Sequence, residues 1–324
     1  MTEPGRAPQR NGEPVPIRPG SRVITPPPSL PVVRLAQDHT HQEVARQLRA
    51  GTWRRVGRGT YLPTRQADAP RRIALARIVG VHRDLRSPHV FSHDSAALLW
   101  GLPLWSTPDI VHVYQKHHPG RARNPALKRH LGALPDTCVT STLGIPVTTW
   151  ELTAVDCARS MGPRAALVVV DAALRAGASR DLMHQLLERD PAGRGSARAR
   201  AVIDLGDAGA ESPQETALRF VLLRAGLPCP QTQVRVDTRL GTFWADLGWE
   251  AWRVVIEYDG RPKYADPEAL IREKRRHDAL VEAGWVVLHV TKEDLRRPDL
   301  LIARVLALLP PGVPRERRPH LRAG

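Results

Sequence analysis

The run Val254-Val255-Ile256, followed at once by Glu257-Tyr258-Asp259-Gly260, constrains this chain more than any other stretch. Three successive β-branched residues place apolar side chains on both faces of a strand, an arrangement expected where both faces are covered. Two carboxylates at alternate positions then follow into the rim of a covered sheet. Charge there is costly unless it is paired or neutralised by a cation.

A partner for this strand precedes it. In residues 242–249, Phe243, Ala245, Leu247 and Trp249 occupy one face and Asp246 the other. If Glu250-Ala251-Trp252-Arg253 forms the loop, Asp246 lies directly opposite Glu257, with Cβ atoms about 5 Å apart. Asp259, two residues further on, joins the same face. Three crowded carboxylates with oxygen-only donors call for a divalent ion, Mg2+ or Mn2+, with Asp246 and Glu257 as its ligands. A solvent-facing acidic hairpin edge is the alternative reading, and it explains the apolar run poorly.

The flanking segments complete an α+β unit. Ser212-Pro213-Gln214-Glu215 has the form of a capping box at the start of a helix that stops at Gly226. Glu215 is therefore a cap, an accessory to the metal site, or both. Strands at 231–236, 242–249 and 252–258 follow, then a helix from Pro267 to the stop at Gly284, a strand at 285–290 and a helix at 297–309. The order αβββαβα implies one mixed sheet. The stripe Leu270, Lys274, His277, Val281 would point Lys274 inward as a charge-stabilising cation, with Lys263 as second choice and an exposed helical lysine as the alternative.

The N-terminal part differs in charge. Of the formal +15, residues 1–200 hold 29 basic and 15 acidic residues, a net +14, which suits a polyanionic partner. Residues 1–32, rich in Pro, Gly and Arg, are expected to be a disordered tail. A helix at 41–50 leads into Trp53-Arg54-Arg55-Val56-Gly57-Arg58-Gly59-Thr60-Tyr61-Leu62, a basic hairpin. Helix followed by basic hairpin is the order of a winged helix, with Arg54, Arg55 and Arg58 as candidate DNA-phosphate contacts. Helices at 151–161 and 164–177 are expected to pack, with Asp156 and Asp171 as cap or surface acids. Residues 191–210 are assigned as a linker with one short helix and 311–324 as a disordered basic tail. The three cysteines are widely spaced, and no apolar run reaches a membrane span, so a cytoplasmic protein without membrane contact is expected.

Two resemblances sharpen this picture. The hairpin, together with Ser92-His93-Asp94-Ser95-Ala96-Ala97-Leu98-Leu99-Trp100-Gly101-Leu102-Pro103 and Gly144-Ile145-Pro146-Val147-Thr148-Thr149, resembles the AbiEi family of type IV antitoxin regulators over residues 33–190. Ile256-Glu257-Tyr258-Asp259-Gly260, Glu273-Lys274-Arg275-Arg276 and Gly284-Trp285 are similar to Vsr-like, very-short-patch-repair-related domains of the PD-(D/E)xK nuclease superfamily over residues 211–310. The first resemblance implies DNA as partner, with a toxin as a possible further one. The second implies a restriction-endonuclease-like fold and Mg2+-dependent phosphodiester hydrolysis, with Asp246, Glu257, Asp259, Glu215 and Lys274 or Lys263 as catalytic residues. Asp259 stands where the superfamily has lysine, which also admits an inactive DNA-binding regulator.

Overall fold

The computed structural model describes residues 23–117, 124–260 and 267–322. The chain opens with β1 (Arg34–Leu35), α1 (His41–Arg49), β2 (Trp53–Gly57) and β3 (Thr60–Pro63), the strands forming an antiparallel sheet in the order β1-β3-β2. Thr40 caps α1 by accepting from the Glu43 amide at 3.2 Å, and Gly59 supplies the left-handed residue of the hairpin turn at φ 61°. Helix α2 (Pro70–Asp84) covers this small sheet, whose core is Val33, Leu35, Val56, Leu62, Ala67 and Ala76.

A second sheet follows that sequence patterning does not announce. Strands β4 (Val90–Phe91), β5 (Val111–Gln115), β6 (Leu127–Leu131), β7 (Val139–Thr142) and β8 (Ile145–Thr148) assemble in the order β6-β5-β4-β8-β7, with β5–β6 and β4–β8 parallel. The Ser92-to-Pro103 motif forms α3 (His93–Leu99) and the turn that ends it. Gly101 adopts φ 82°, and a Cβ there would lie 1.9 Å from the Thr25 carbonyl oxygen, so the motif requires glycine at this position.

Helices α4 (Trp150–Ser160), α5 (Pro163–Arg175), α6 (Arg180–Glu188) and α7 (Ser196–Asp204) form the central layer. Two expectations are corrected here. The 191–210 segment holds the one short helix expected of it, α7, but is more than a linker, because Ala199, Val202 and Ile203 of α7 are fully buried in the same core as Leu167 and Val170 of α5. Asp171 is neither cap nor surface acid. It is buried, ion-paired with Arg219 at 2.6 Å, and accepts from the Thr216 hydroxyl at 2.9 Å and the Asp207 amide at 2.8 Å.

Arg219 and Thr216 belong to α8 (Pro213–Arg224), so this network fastens the C-terminal unit to the helical layer. That unit continues with β9 (Gln231–Thr238), β10 (Gly241–Trp249), β11 (Val254–Tyr258), α9 (Pro267–Glu282), β12 (Val286–Val290), a short α10 (Lys292–Leu295) and α11 (Pro298–Leu308). Its mixed sheet has the order β12-β11-β10-β9, parallel only at β11–β12. The mixed α/β architecture agrees with an α+β class.

Both expected tails need correction within the described residues. Ile24 and Leu30 pack against the body. After α11, Glu316 N–H donates to the Gly226 carbonyl at 2.8 Å, Arg318 donates to the Leu223 and Leu227 carbonyls at 3.0 and 2.9 Å, and Leu321 is buried beside α5 and α7. Carbonyls at the end of α8 and in the turn after it provide the acceptors that hold this segment in place. No helix among the described residues is long and apolar enough to cross a membrane.

Candidate metal and nucleic-acid site

The hairpin β10–β11 sets the geometry. Leu247 pairs with Ile256, Gly248 with Val255 and Trp249 with Val254, the register expected from a four-residue loop. Arg253 closes that loop in the left-handed conformation at φ 51°, and its side chain donates to the Ala283 carbonyl at 3.1 Å. Just past the Leu247–Ile256 pair a side-chain contact takes over, as Asp246 Oδ2 accepts the Tyr258 amide at 2.8 Å.

Asp246 is largely buried, and its carboxyl is pushed up to about 6, first by burial and then by the charges of Glu257 and Glu211, against the Tyr258 amide and Arg276. Glu215 is pushed up to about 7 by burial and by Asp246. The Ser212 hydroxyl accepts from the Glu215 amide at 3.2 Å, which is half of the expected capping box. The other half is displaced: Glu215 Oε2 accepts from the Glu211 amide at 2.8 Å, one residue upstream of the cap. Glu215 therefore ties down the approach to α8 while its charge stays within range of Asp246.

Glu257 is buried and ion-paired with Arg276 of α9, which also donates to the Trp244 carbonyl at 2.8 Å. Asp259 lies past the end of β11 and leaves the expected three-carboxylate patch. Its amide bonds to the Val290 carbonyl at 2.8 Å, and its carboxylate lies 3.1 Å from His289 Nδ1. Ligand atoms of Asp259, Glu273 and His289 all fall within 4.8 Å of one another. His289 sits on β12 beside Glu257, and its proton affinity is raised by the Asp259 hydrogen bond and by the surrounding acids. The acids thus run as a line of neighbours from Glu215 through Asp246 and Glu257 to Asp259 and Glu273.

The lysine expectation fails on geometry. Lys274 is exposed, as are Leu270 and Val281 of its supposed stripe, at 54% and 49%. The face of α9 turned to the sheet is instead Arg276, Ala279, Leu280 and Ala283, with Glu273 and His277 at its border. Helical spacing permits either stripe; the need to cover Glu257 with a cation selects the one carrying Arg276. Lys263 lies outside the described residues. His289 and Arg276 carry no signal of their own in the sequence beyond the place of Arg276 in Glu273-Lys274-Arg275-Arg276.

At the other end of the molecule, Arg54, Arg55 and Arg58 decorate the β2–β3 hairpin. Arg54 and Arg55 are exposed on β2, with hydrogen bonds to the Ala67 carbonyl at 3.4 Å and the Gly57 carbonyl at 3.3 Å. Arg58 is exposed at the turn.

A Mg2+ or Mn2+ ion fits the acidic line in one specific sense. Burial and the neighbouring carboxylate charges raise Asp246 and Glu215 above the ordinary carboxylate range, and the carboxylates of this corner offer only oxygen donors. Arg276 already engages Glu257, so Glu257 must share or release that guanidinium to act as a ligand.

No protein-family model matches the chain. It is 29% identical over 269 residues to two proteins described as uncharacterized, Rv2248 and MT2308 of Mycobacterium tuberculosis, matching 82% of this chain and 96% of each relative. Among solved structures, the crystal structure of RV2827C protein from Mycobacterium tuberculosis matches 54% of this chain and 72% of its own at 20% identity, with a TM-score of 0.35.

Proposed function

We propose that this chain is a cytoplasmic DNA-binding protein whose C-terminal unit, a restriction-endonuclease-like domain, hydrolyses DNA phosphodiesters with a divalent metal ion. The observation that supports this most is the closeness of three carboxylates at the β10–β11 hairpin: Asp246, whose Oδ2 accepts the Tyr258 amide, is raised by burial and by the charge of Glu257, and it in turn raises the buried Glu215. Asp246 and Glu257 would hold Mg2+ or Mn2+. When bound, the ion supplies Lewis acidity and a lowered water pKa.

The chain's own groups supply the rest. Tyr258 N–H fixes the Asp246 carboxylate, and Arg276 balances Glu257 and is placed to meet phosphate charge. His289, made more basic by Asp259, stands at the rung beside Glu257 with its ring nitrogens turned to Asp259 at 3.1 Å and to His277 at 3.2 Å. Residues 33–63, a helix followed by a basic hairpin, would act as a shortened winged helix gripping backbone phosphates.

A second reading has its own support: the Arg276–Glu257 pair and Asp259 in place of lysine suit a nuclease fold kept as a binding module in an antitoxin-like regulator. A cleavage assay of the full chain on duplex, mismatched and single-stranded DNA and on RNA, with and without Mg2+ or Mn2+, separates the two. Metal-dependent cutting of DNA supports the enzyme. Tight, salt-sensitive binding with no cutting of any substrate supports the regulator.

A further inference from the structure

Three histidines far apart in sequence converge beneath α3. His93 begins that helix, while His112 and His130 stand on the neighbouring parallel strands β5 and β6, and ligand nitrogens of all three lie within 4.8 Å of one another. His112 Nδ1 and His130 Nε2 face each other at 3.0 Å. Two nitrogens bound to one tetrahedral Zn2+ at about 2.0–2.1 Å are separated by about 3.3 Å, so this gap is already close to ligand spacing.

We propose that His93, His112 and His130 form a binding site for a divalent transition-metal ion of the Zn2+ class, with Asp94 and Asp156 as the carboxylates behind the imidazoles. His93 Nδ1 lies 3.5 Å from Asp156 Oδ2 and 2.9 Å from the Ser92 hydroxyl, and His112 Nε2 lies 4.0 Å from Asp94 Oδ1. Carboxylates placed on the outer nitrogen of a ligating imidazole orient the ring and raise its basicity. Asp156 is buried, accepts from the Tyr114 hydroxyl at 3.0 Å through Oδ1, and has no hydrogen-bond partner on Oδ2.

Conformation points the same way. His93 also holds a left-handed φ of 54°, a cost for a non-glycine residue that is expected where a side chain must be aimed. Its ring stacks on His130 with centroids 4.0 Å apart, so a ring rotation completes the set. The ion would staple the edge strand β6 to α3, independently of the acidic line on β10–β11.

The test uses the full chain, stripped by chelator and titrated with Co2+ as a spectroscopic probe and then with Zn2+. Intense visible bands saturating near one equivalent, displaced by Zn2+, lost in His112→Gln and in His130→Gln but kept in Asp246→Asn, are the expected result. Only weak bands, bands surviving in both histidine variants, or bands lost in Asp246→Asn instead would overturn the proposal and leave the cluster an aromatic stack. X-ray absorption of the wild-type Zn2+ complex needs no variant: imidazole scattering supports the site, and an oxygen-only shell refutes it.

Discussion

Asp246→Asn gives the sharpest test of how the acidic corner is built. The Asp246 carboxyl moves from 3.8 to about 6, roughly two units, and each unit corresponds to about 1.4 kcal/mol. Because the folded-state value is raised, the folded state binds the proton more tightly. The stabilising contribution is complete below about pH 4 and lost as pH rises through about 6. Ionising Asp246 at neutral pH thus costs at most about 3 kcal/mol, part of it shared with Glu215, whose charge acts on the same group. Asparagine keeps an oxygen for the Tyr258 amide and removes the charge. In EDTA at pH 7.5, the variant should be more stable than wild type by about 1–2 kcal/mol in urea unfolding. At pH 4.5 the two should be nearly equal. Saturating Mg2+ should reverse the order at pH 7.5 by stabilising only the wild type. A variant less stable than wild type at pH 7.5 in EDTA would refute the reasoning, because the carboxylate would then be stabilising without any metal.

Three further outcomes are expected. Asp171→Ala leaves the Arg219 guanidinium buried and unpaired, and should cost about 3–5 kcal/mol in denaturant unfolding; a loss under 1 kcal/mol would show that the clasp between α5 and α8 is dispensable. Replacing Arg54, Arg55 and Arg58 together with alanine should lower the slope of log affinity against log salt by about 0.9 per lost phosphate contact, and an unchanged slope would move the DNA contact elsewhere. If the nuclease reading holds, Arg276→Ala should slow cleavage by about 10²–10³ and also lower Tm by stranding Glu257. Lys274→Ala should do neither, and the reverse ranking would return the role to Lys274.

The β10–β11 register was legible because alternation fixes which face Asp246 takes and the loop is closed by a single left-handed residue, Arg253. The start of α8 was legible for a similar local reason, as Ser212-Pro213 carries its own cap. The five-stranded sheet was not. β4 has two residues, and the edge strand β6 reads Leu-Lys-Arg-His-Leu, so neither shows a period; they are held by their neighbours β5 and β8 and by the core that Phe91 and Leu127 share with α2 and α3. The histidine cluster left no spacing signal, since its members meet only through β5–β6 pairing and the helix above. On α9 the apolar pattern misleads, because Leu270 and Val281 outweigh Ala279 in apolar size. The fold instead turned inward the narrow residues that let the helix approach the sheet.

The proposed metal-dependent phosphodiesterase centre at Asp246 and Glu257 is put to the test by Glu257→Gln. Glutamine preserves shape and removes the charge, so with Mg2+ or Mn2+ the variant should lose DNA cleavage entirely while its DNA affinity stays equal or rises. The wild type must cut in the same assay. Undiminished cleavage by Glu257→Gln, or a wild type that binds DNA tightly yet cuts no DNA substrate with either metal, would contradict the account.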